Sequence, residues 1–162
     1  MACSLFVTTN FIAQEKNIVE TAVSNENFST LVAALSAADL VDALKGEGPF
    51  TVFAPTNDAF NKLPAGTVET LLKPENKKTL QSILTYHVVA GDIKAKQLIK
   101  LINDNNGKVD VKTLSGSMLT AQIKDGEAYL TDEKGNWSKI TATDIDQTNG
   151  VIHVIDAVVL PN

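Results

Sequence analysis

The chain has 162 residues, enough for one domain with a sizeable core and too few for two ordinary ones. With 44% hydrophobic and 20% charged residues it has the composition of a globular protein, not of a disordered or low-complexity one. The formal net charge is -5 and the acidic residues are dispersed, which leaves no basic face for a phosphate backbone and excludes nucleic acid as a partner.

Residues 1–16 stand apart as an N-terminal extension. Leu5-Phe6-Val7 and Phe11-Ile12-Ala13 are short apolar runs before polarity rises at Glu15-Lys16, in the manner of the tail of an export signal. A basic start is missing and Thr8-Thr9-Asn10 interrupts the pattern, so residues added on expression and an extra packing strand are the other readings. The lone Cys3 lies outside the patterned body; one thiol closes no internal disulfide and forms no CxxC site. No run of about eighteen apolar residues occurs, so no helical transmembrane segment is expected.

From Asn17 to Asp42 the apolar spacing is helical, with Ile18, Val19, Ala22 and Val23 in one stripe and Phe28, Leu31, Val32 and Leu35 in another. A short third helix is predicted over Asp39 to Leu44, ending at Gly46 as a left-handed C-terminal residue. Phe50-Thr51-Val52-Phe53-Ala54 is a β-branched and aromatic strand stopped by Pro55. Thr56 is the N-cap of the next helix, with Asp58 in its first turn and Ala59, Phe60 and Leu63 facing inward. After a turn at 63–66 and a short helix through Val68, Leu71 and Leu72, Pro74 opens another helix in the position that suits proline. Its apolar residues Leu80, Ile83 and Leu84 lead into a strand, Tyr86-His87-Val88-Val89-Ala90. A last helix is expected from Ala95 to Ile102.

Beyond Gly107 the period changes to two. Val109, Val111 and Leu114 alternate with polar residues, as do Leu119, Ala121 and Ile123. Strands are also expected over 128–131 and 140–143, and the longest over Val151 to Leu160, with hairpin turns at Asp125-Gly126 and Lys134-Gly135-Asn136. Helices thus crowd the first two-thirds and strands the last third. The fold class is α+β, with strand 50–54 paired to strands distant in sequence.

Three stretches resemble one family. Phe50-Thr-Val-Phe-Ala-Pro-Thr-Asn-Asp-Ala-Phe60 is similar to the first signature segment of fasciclin domains. Tyr86-His87 stands where that family has its Tyr-His pair, and Asn149-Gly-Val-Ile-His-Val-Ile-Asp-Ala-Val-Val-Leu-Pro161 is similar to the second signature segment. The resemblance covers about 17–161 and implies a wedge of twisted β-sheet with a layer of helices packed around it. Its signature residues are Thr51, Phe53, Ala54, Pro55, Thr56, Asn57, Asp58, Phe60, His87, Gly150, Ile152, His153, Asp156 and Pro161, and they mainly specify the fold.

The chemistry legible in the sequence is sparse. His87 and His153 are the only histidines, and each is expected in an apolar strand as a packed residue with a satisfied hydrogen bond rather than as a proton shuttle. The family pattern makes Asp58 a partner for His87, and Thr56 or Asn57 partners for nearby backbone groups. No Gly-x-Ser-x-Gly turn exists, and no catalytic residue is assigned. The run Asp144 to Gly150 has a calcium-loop flavour, but its glycine is one place late and Ile155 stands where a Glu is needed. Asp104 to Gly107 and Asp132 to Gly135 are read as turns, so no metal and no cofactor is expected.

What remains is interaction. In animal relatives an Asp-Ile pair and the Tyr-His segment are linked to adhesion, and the resemblance therefore nominates Tyr86, His87, Asp144 and Ile145 as adhesion residues; core roles for Tyr86 and Ile145 and a turn role for Asp144 are the simpler reading. Trp137, the only tryptophan, lies in a polar loop, as an exposed contact anchor or as a ring folded onto the hairpin. Asn27 and Asn136 fit the glycosylation acceptor pattern. The expectation is a secreted, periplasmic or cell-surface module that binds a cell-surface or matrix protein, or a polysaccharide, without catalysis. A small-molecule or lipid carrier, with a cleft around Leu98 to Ile102 and Leu114 to Leu119, is the alternative. The sequence leaves the oligomeric state open.

Overall fold

The computed structural model describes residues 17–46, 48–147 and 149–161. The readings placed on residues 1–16 lie outside the described residues. Among the described residues, seven α-helices and seven strands follow one another as α1 Ile18–Ser24, α2 Ser29–Ala37, α3 Val41–Leu44, β1 Phe50–Pro55, α4 Asn57–Asn61, α5 Thr67–Leu71, α6 Lys77–Tyr86, β2 Val88–Ala90, α7 Ala95–Asp104, β3 Lys108–Lys112, β4 Met118–Lys124, β5 Glu127–Thr131, β6 Trp137–Gln147 and β7 Gly150–Ile155.

The strands form one sheet in the order β2-β1-β7-β6-β5-β4-β3. All neighbours are antiparallel except β1 and β7, which run parallel with Phe53 beside His153. The sheet curls until its two edges meet, where the Leu114 N–H just past β3 donates to the Val88 carbonyl of β2 at 2.8 Å. The β4–β5 hairpin turns through Asp125 and Gly126, both at positive φ, the geometry whose twist suits a two-residue hairpin.

Alternation along β1 and β7 builds two cores back to back. Val52, Ala54, Ile152 and Val154 point into a core closed by α1 to α6, with Phe28, Leu31, Leu35, Phe60 and Leu84. Phe53 and Ile155 point the other way, into a core enclosed by the curled sheet and plugged by Leu98 and Ile102 of α7. Strands buried on both faces read as continuous apolar runs, and the two signature segments are such runs. The result is the α+β wedge, helices layered on a twisted sheet.

Four local expectations change. Tyr86 is the last residue of α6 and His87 its C-cap, so β2 begins only at Val88. The helix absorbs them because its hydrogen-bond ladder reaches the His87 N–H, which donates to the Leu84 carbonyl. The predicted strand 151–160 ends at Ile155, and the longest strand is β6, eleven residues interrupted by two register shifts against β7. Gly46 is not left-handed; Asp39, before α3, holds φ 55 instead.

Candidate functional site

The nominated residues lie along a buried seam across the middle of the sheet. At the end of α6, the Tyr86 ring is fully buried in the second core and its hydroxyl donates to the Met118 carbonyl at 2.8 Å. Burial pushes that hydroxyl up to about 12. His87 is buried beside it, with Nδ1 2.8 Å from the Ile83 carbonyl and Nε2 3.2 Å from the Val159 N–H. A carbonyl accepts and an N–H donates, so Nδ1 carries the proton and Nε2 is the acceptor of a neutral ring. Desolvation lowers the imidazole to about 4, which keeps it neutral at physiological pH. Asp58 is exposed and does not partner His87; the two backbone groups do.

From His87 the seam runs through the central strand pair. The Phe53 N–H donates to the His87 carbonyl at 2.8 Å, and the Phe53 ring stacks on the His153 imidazole with centroids 5.6 Å apart. His153 is fully buried and has the opposite tautomer: Nε2 donates to the Ile93 carbonyl at 2.7 Å and Nδ1 accepts from the Asp144 N–H at 3.4 Å. Both nitrogens of both histidines are therefore engaged with main chain, which leaves no lone pair for a metal or a substrate proton.

Asp144 ends the seam at the surface. It sits in β6 between the residues where the register slips, at φ 57, a conformation that Asp tolerates better than most residues. Its carboxylate accepts from the Ala95 N–H at 2.8 Å and so caps the N-terminus of α7 from a distant strand. The neighbouring Asp146 pairs with Lys94 at 3.1 Å, which holds that lysine above its ordinary value. Ile145 is half-buried, opposite Ile152 and packed against the helical core. The nominated set is thus mostly internal, with Asp144 as its exposed member.

The remaining signature residues explain why these segments hold together. The Thr51 hydroxyl donates to the Gly91 carbonyl at 2.6 Å and accepts from the Ile93 N–H, tying β1 to the loop that holds His153. Thr56 caps α4 through the Ala59 N–H, while Asn57 bridges back to Thr30, Glu26 and Ser29. Asp156 accepts from the Lys139 N–H, and Pro55 closes β1 beside Ile155. A Cβ at Gly150 would stand 1.9 Å from the Phe50 carbonyl oxygen, so the start of the parallel pair requires glycine.

Two buried polar residues carry more of the fold than their sequence context shows. Buried Asn149 accepts from the Ile18 N–H and donates to the carbonyls of Leu44 and Gly46, which clasps α1 and α3 to the end of the sheet. Buried Asp132 accepts from the N–H groups of Lys134, Asn136 and Leu160. Both look like turn residues in the sequence, and nothing local separates them from the exposed Asn and Asp of other loops.

Much of the stretch anticipated for a carrier cleft packs inward. Leu98, Ile102 and Leu119 are core residues, and Leu114 edges only a crevice of about 100 Å³ with Leu40, Leu44, Phe50 and Leu84. Ligand pockets of drug size run to several times that, roughly 300–1,000 Å³. The larger depressions are open; one of about 390 Å³ lies against α7 between Asp92, Ile93, Gln97, Lys100, Leu101 and Asp104, so Leu101 of the anticipated stretch lines it. Among the described residues no cluster of His, Cys, Asp or Glu suited to a metal is formed, and no helix is long and apolar enough to cross a membrane. Both acceptor-pattern asparagines, Asn27 and Asn136, are exposed.

Comparison with known proteins agrees with the architecture. The family model described as Fasciclin domain matches residues 26–161. Protein sll1483 of Synechocystis sp. is 58% identical over 144 residues, covering 89% of this chain and 73% of that protein. Transforming growth factor-beta-induced protein ig-h3 of Sus scrofa is 36% identical over 164 residues, covering 98% of this chain and 21% of its own length. Among solved structures, a FAS1 domain pair from the insect cell adhesion molecule Fasciclin I superposes with a TM-score of 0.78 over 90% of this chain and 51% of that one. At 20% identity that likeness shows the fold alone. With its two signature segments paired as the central parallel strands and the family match spanning residues 26–161, the chain belongs to the fasciclin domain family.

Proposed function

We propose that this domain is an extracytoplasmic adhesion or matrix-interaction module, secreted, periplasmic or held at the cell surface, that works by binding and turns nothing over. The observation that carries this reading is the fasciclin fold itself, shared with a domain pair from a cell adhesion molecule. The engagement of all four imidazole nitrogens with main-chain groups supports the non-catalytic half, since a general base or metal ligand needs a free one. No cofactor enters this reading. Its partner is a cell-surface or matrix protein, or a polysaccharide. Of the four nominated residues, Asp144 contributes contact, while Tyr86, His87 and Ile145 contribute by fixing the strands that carry it.

The test is retention of the purified chain on host cells, matrix preparations and biofilm polymers over a range of salt concentrations. Saturable binding to at least one of them is expected. Absence of binding to all of them at every salt concentration would remove the reading.

A further inference from the structure

We propose that the outer face of strands β3 to β6 is a binding surface for an acidic polysaccharide, one carrying uronate carboxylates. The inference deepens the adhesion reading and rests on it.

The face is regular because four antiparallel strands pair without a slip. One cross-strand row runs Asp110, Thr120, Thr131, Trp137, and the next runs Lys108, Gln122, Tyr129, Lys139. Their neighbours along the strands, Leu119, Ala121 and Leu130, point inward to the core, so these rows point outward. Each row spans three strand spacings, about 14 Å. Trp137 is 46% exposed at one corner. Tyr129 holds it edge-on at 5.6 Å, and the Lys124 ammonium sits over one face of the ring, 5.2 Å from its centre, which leaves the other face for contact. Tyr129 is fixed in turn by its hydroxyl on Glu127 at 3.1 Å, and Glu127 by Lys139 at 2.6 Å. The aromatic pair is thereby pre-oriented, which spares the ordering cost of binding.

The chemistry of the face matches a sugar chain. A pyranose has an apolar C–H side that stacks on an indole and a rim of hydroxyls that need donors and acceptors in the same plane. Thr120, Thr131 and Gln122 supply both beside the ring. Charge selects the class. Four lysines, Lys108, Lys112, Lys124 and Lys139, stand on this face against Asp110 and Glu127, with Asp125 bordering it at the hairpin tip. A face with a small positive excess on a chain of formal charge -5 is where a polyanion is least repelled. Nucleic acid also carries negative charge, but the face holds a single exposed indole and no series of stacking rings to seat successive bases.

The experiment uses the full chain with alginate as the acidic probe and dextran as the neutral one, read by biolayer interferometry at increasing salt. Alginate binding is expected, weakening as salt rises, with dextran binding much weaker. Trp137→Ala and the double variant Lys108→Glu/Lys112→Glu are each expected to lower alginate affinity about ten-fold or more. Val23→Ser, on an exposed position of α1, is the unaffected control. Far-UV circular dichroism verifies that each variant is folded, and the lysine variant keeps the test valid should Trp137→Ala lose structure. Equal affinity for dextran, or unchanged alginate binding in both folded face variants, overturns the proposal. A wild-type chain that binds cells or matrix but not alginate overturns it while leaving the adhesion reading intact; one that binds nothing removes both.

Discussion

His87 makes the fold sensitive to acid. Its imidazole titrates near 6.5 in the unfolded chain and at about 4 in the native one. Between those values the unfolded state binds a proton that the native state refuses, so native stability falls as pH falls through this window and changes little on this account above 6.5. The full effect is about 3 kcal/mol. Urea midpoints of the wild type and His87→Gln, followed from pH 7.5 to 4, should show a steeper decline in the wild type; parallel curves would contradict the assignment. Asn149 is the other residue on which much rests. Asn149→Ala strands the Ile18 N–H and two carbonyls in a buried place, and a loss of roughly 2–4 kcal/mol is expected from denaturant titration. Neither effect is legible in the sequence. The signature announces a histidine and an asparagine, but the Val159 and Ile18 N–H groups that they accept from lie 72 and 131 positions away.

At the scale of elements, local chemistry decided most of the outcome. Thr56 caps α4 as its sequence position predicts, and Asp125-Gly126 turns the β4–β5 hairpin. Helix α7 is different, because its N-terminus is capped by a strand. Asp144→Ala removes the acceptor for the Ala95 N–H and should cost about 1 kcal/mol. The loss should be local: amide hydrogen exchange should accelerate over the first turn of α7 while the β1–β7 amides keep their protection. Asp144→Asn retains an acceptor and tolerates the positive φ, so it should stay close to wild type. Equal exchange in all three proteins would mean that the cap is unimportant. The end of α6 departs from its local pattern for a related reason. Tyr86 and His87 adjoin two β-branched residues and read as strand, whereas helix hydrogen bonding and core burial carry the helix through them.

Across the whole molecule, the two cores share β1 and β7, so neither side of the sheet can come apart while the other stays folded. Trp137 reports on the sheet and far-UV circular dichroism mostly on the helices, and the two should give coincident urea transitions. A sheet signal lost ahead of the helical one would show that the cores are independent. The central pairing joins residues a hundred positions apart, which also predicts refolding on the millisecond-to-second scale rather than in microseconds.

Periodicity, caps and turn residues act over one to four positions, and they were sufficient to establish the α+β class, the helix-then-strand order and the β4–β5 hairpin. The signature segments, read as buried runs, also placed the core. The tertiary structure decided everything that depends on which side of a strand meets which distant group. It buried Tyr86 and His87, fixed the two opposite histidine tautomers, set Asp144 on α7, and turned Leu98 and Ile102 into the core. It also aligned Trp137, Tyr129 and the lysines on one outward face. A sequence records the alternation that makes such a face, but the register that brings its rows side by side comes from hydrogen bonds between strands, and those exist only once the chain has folded.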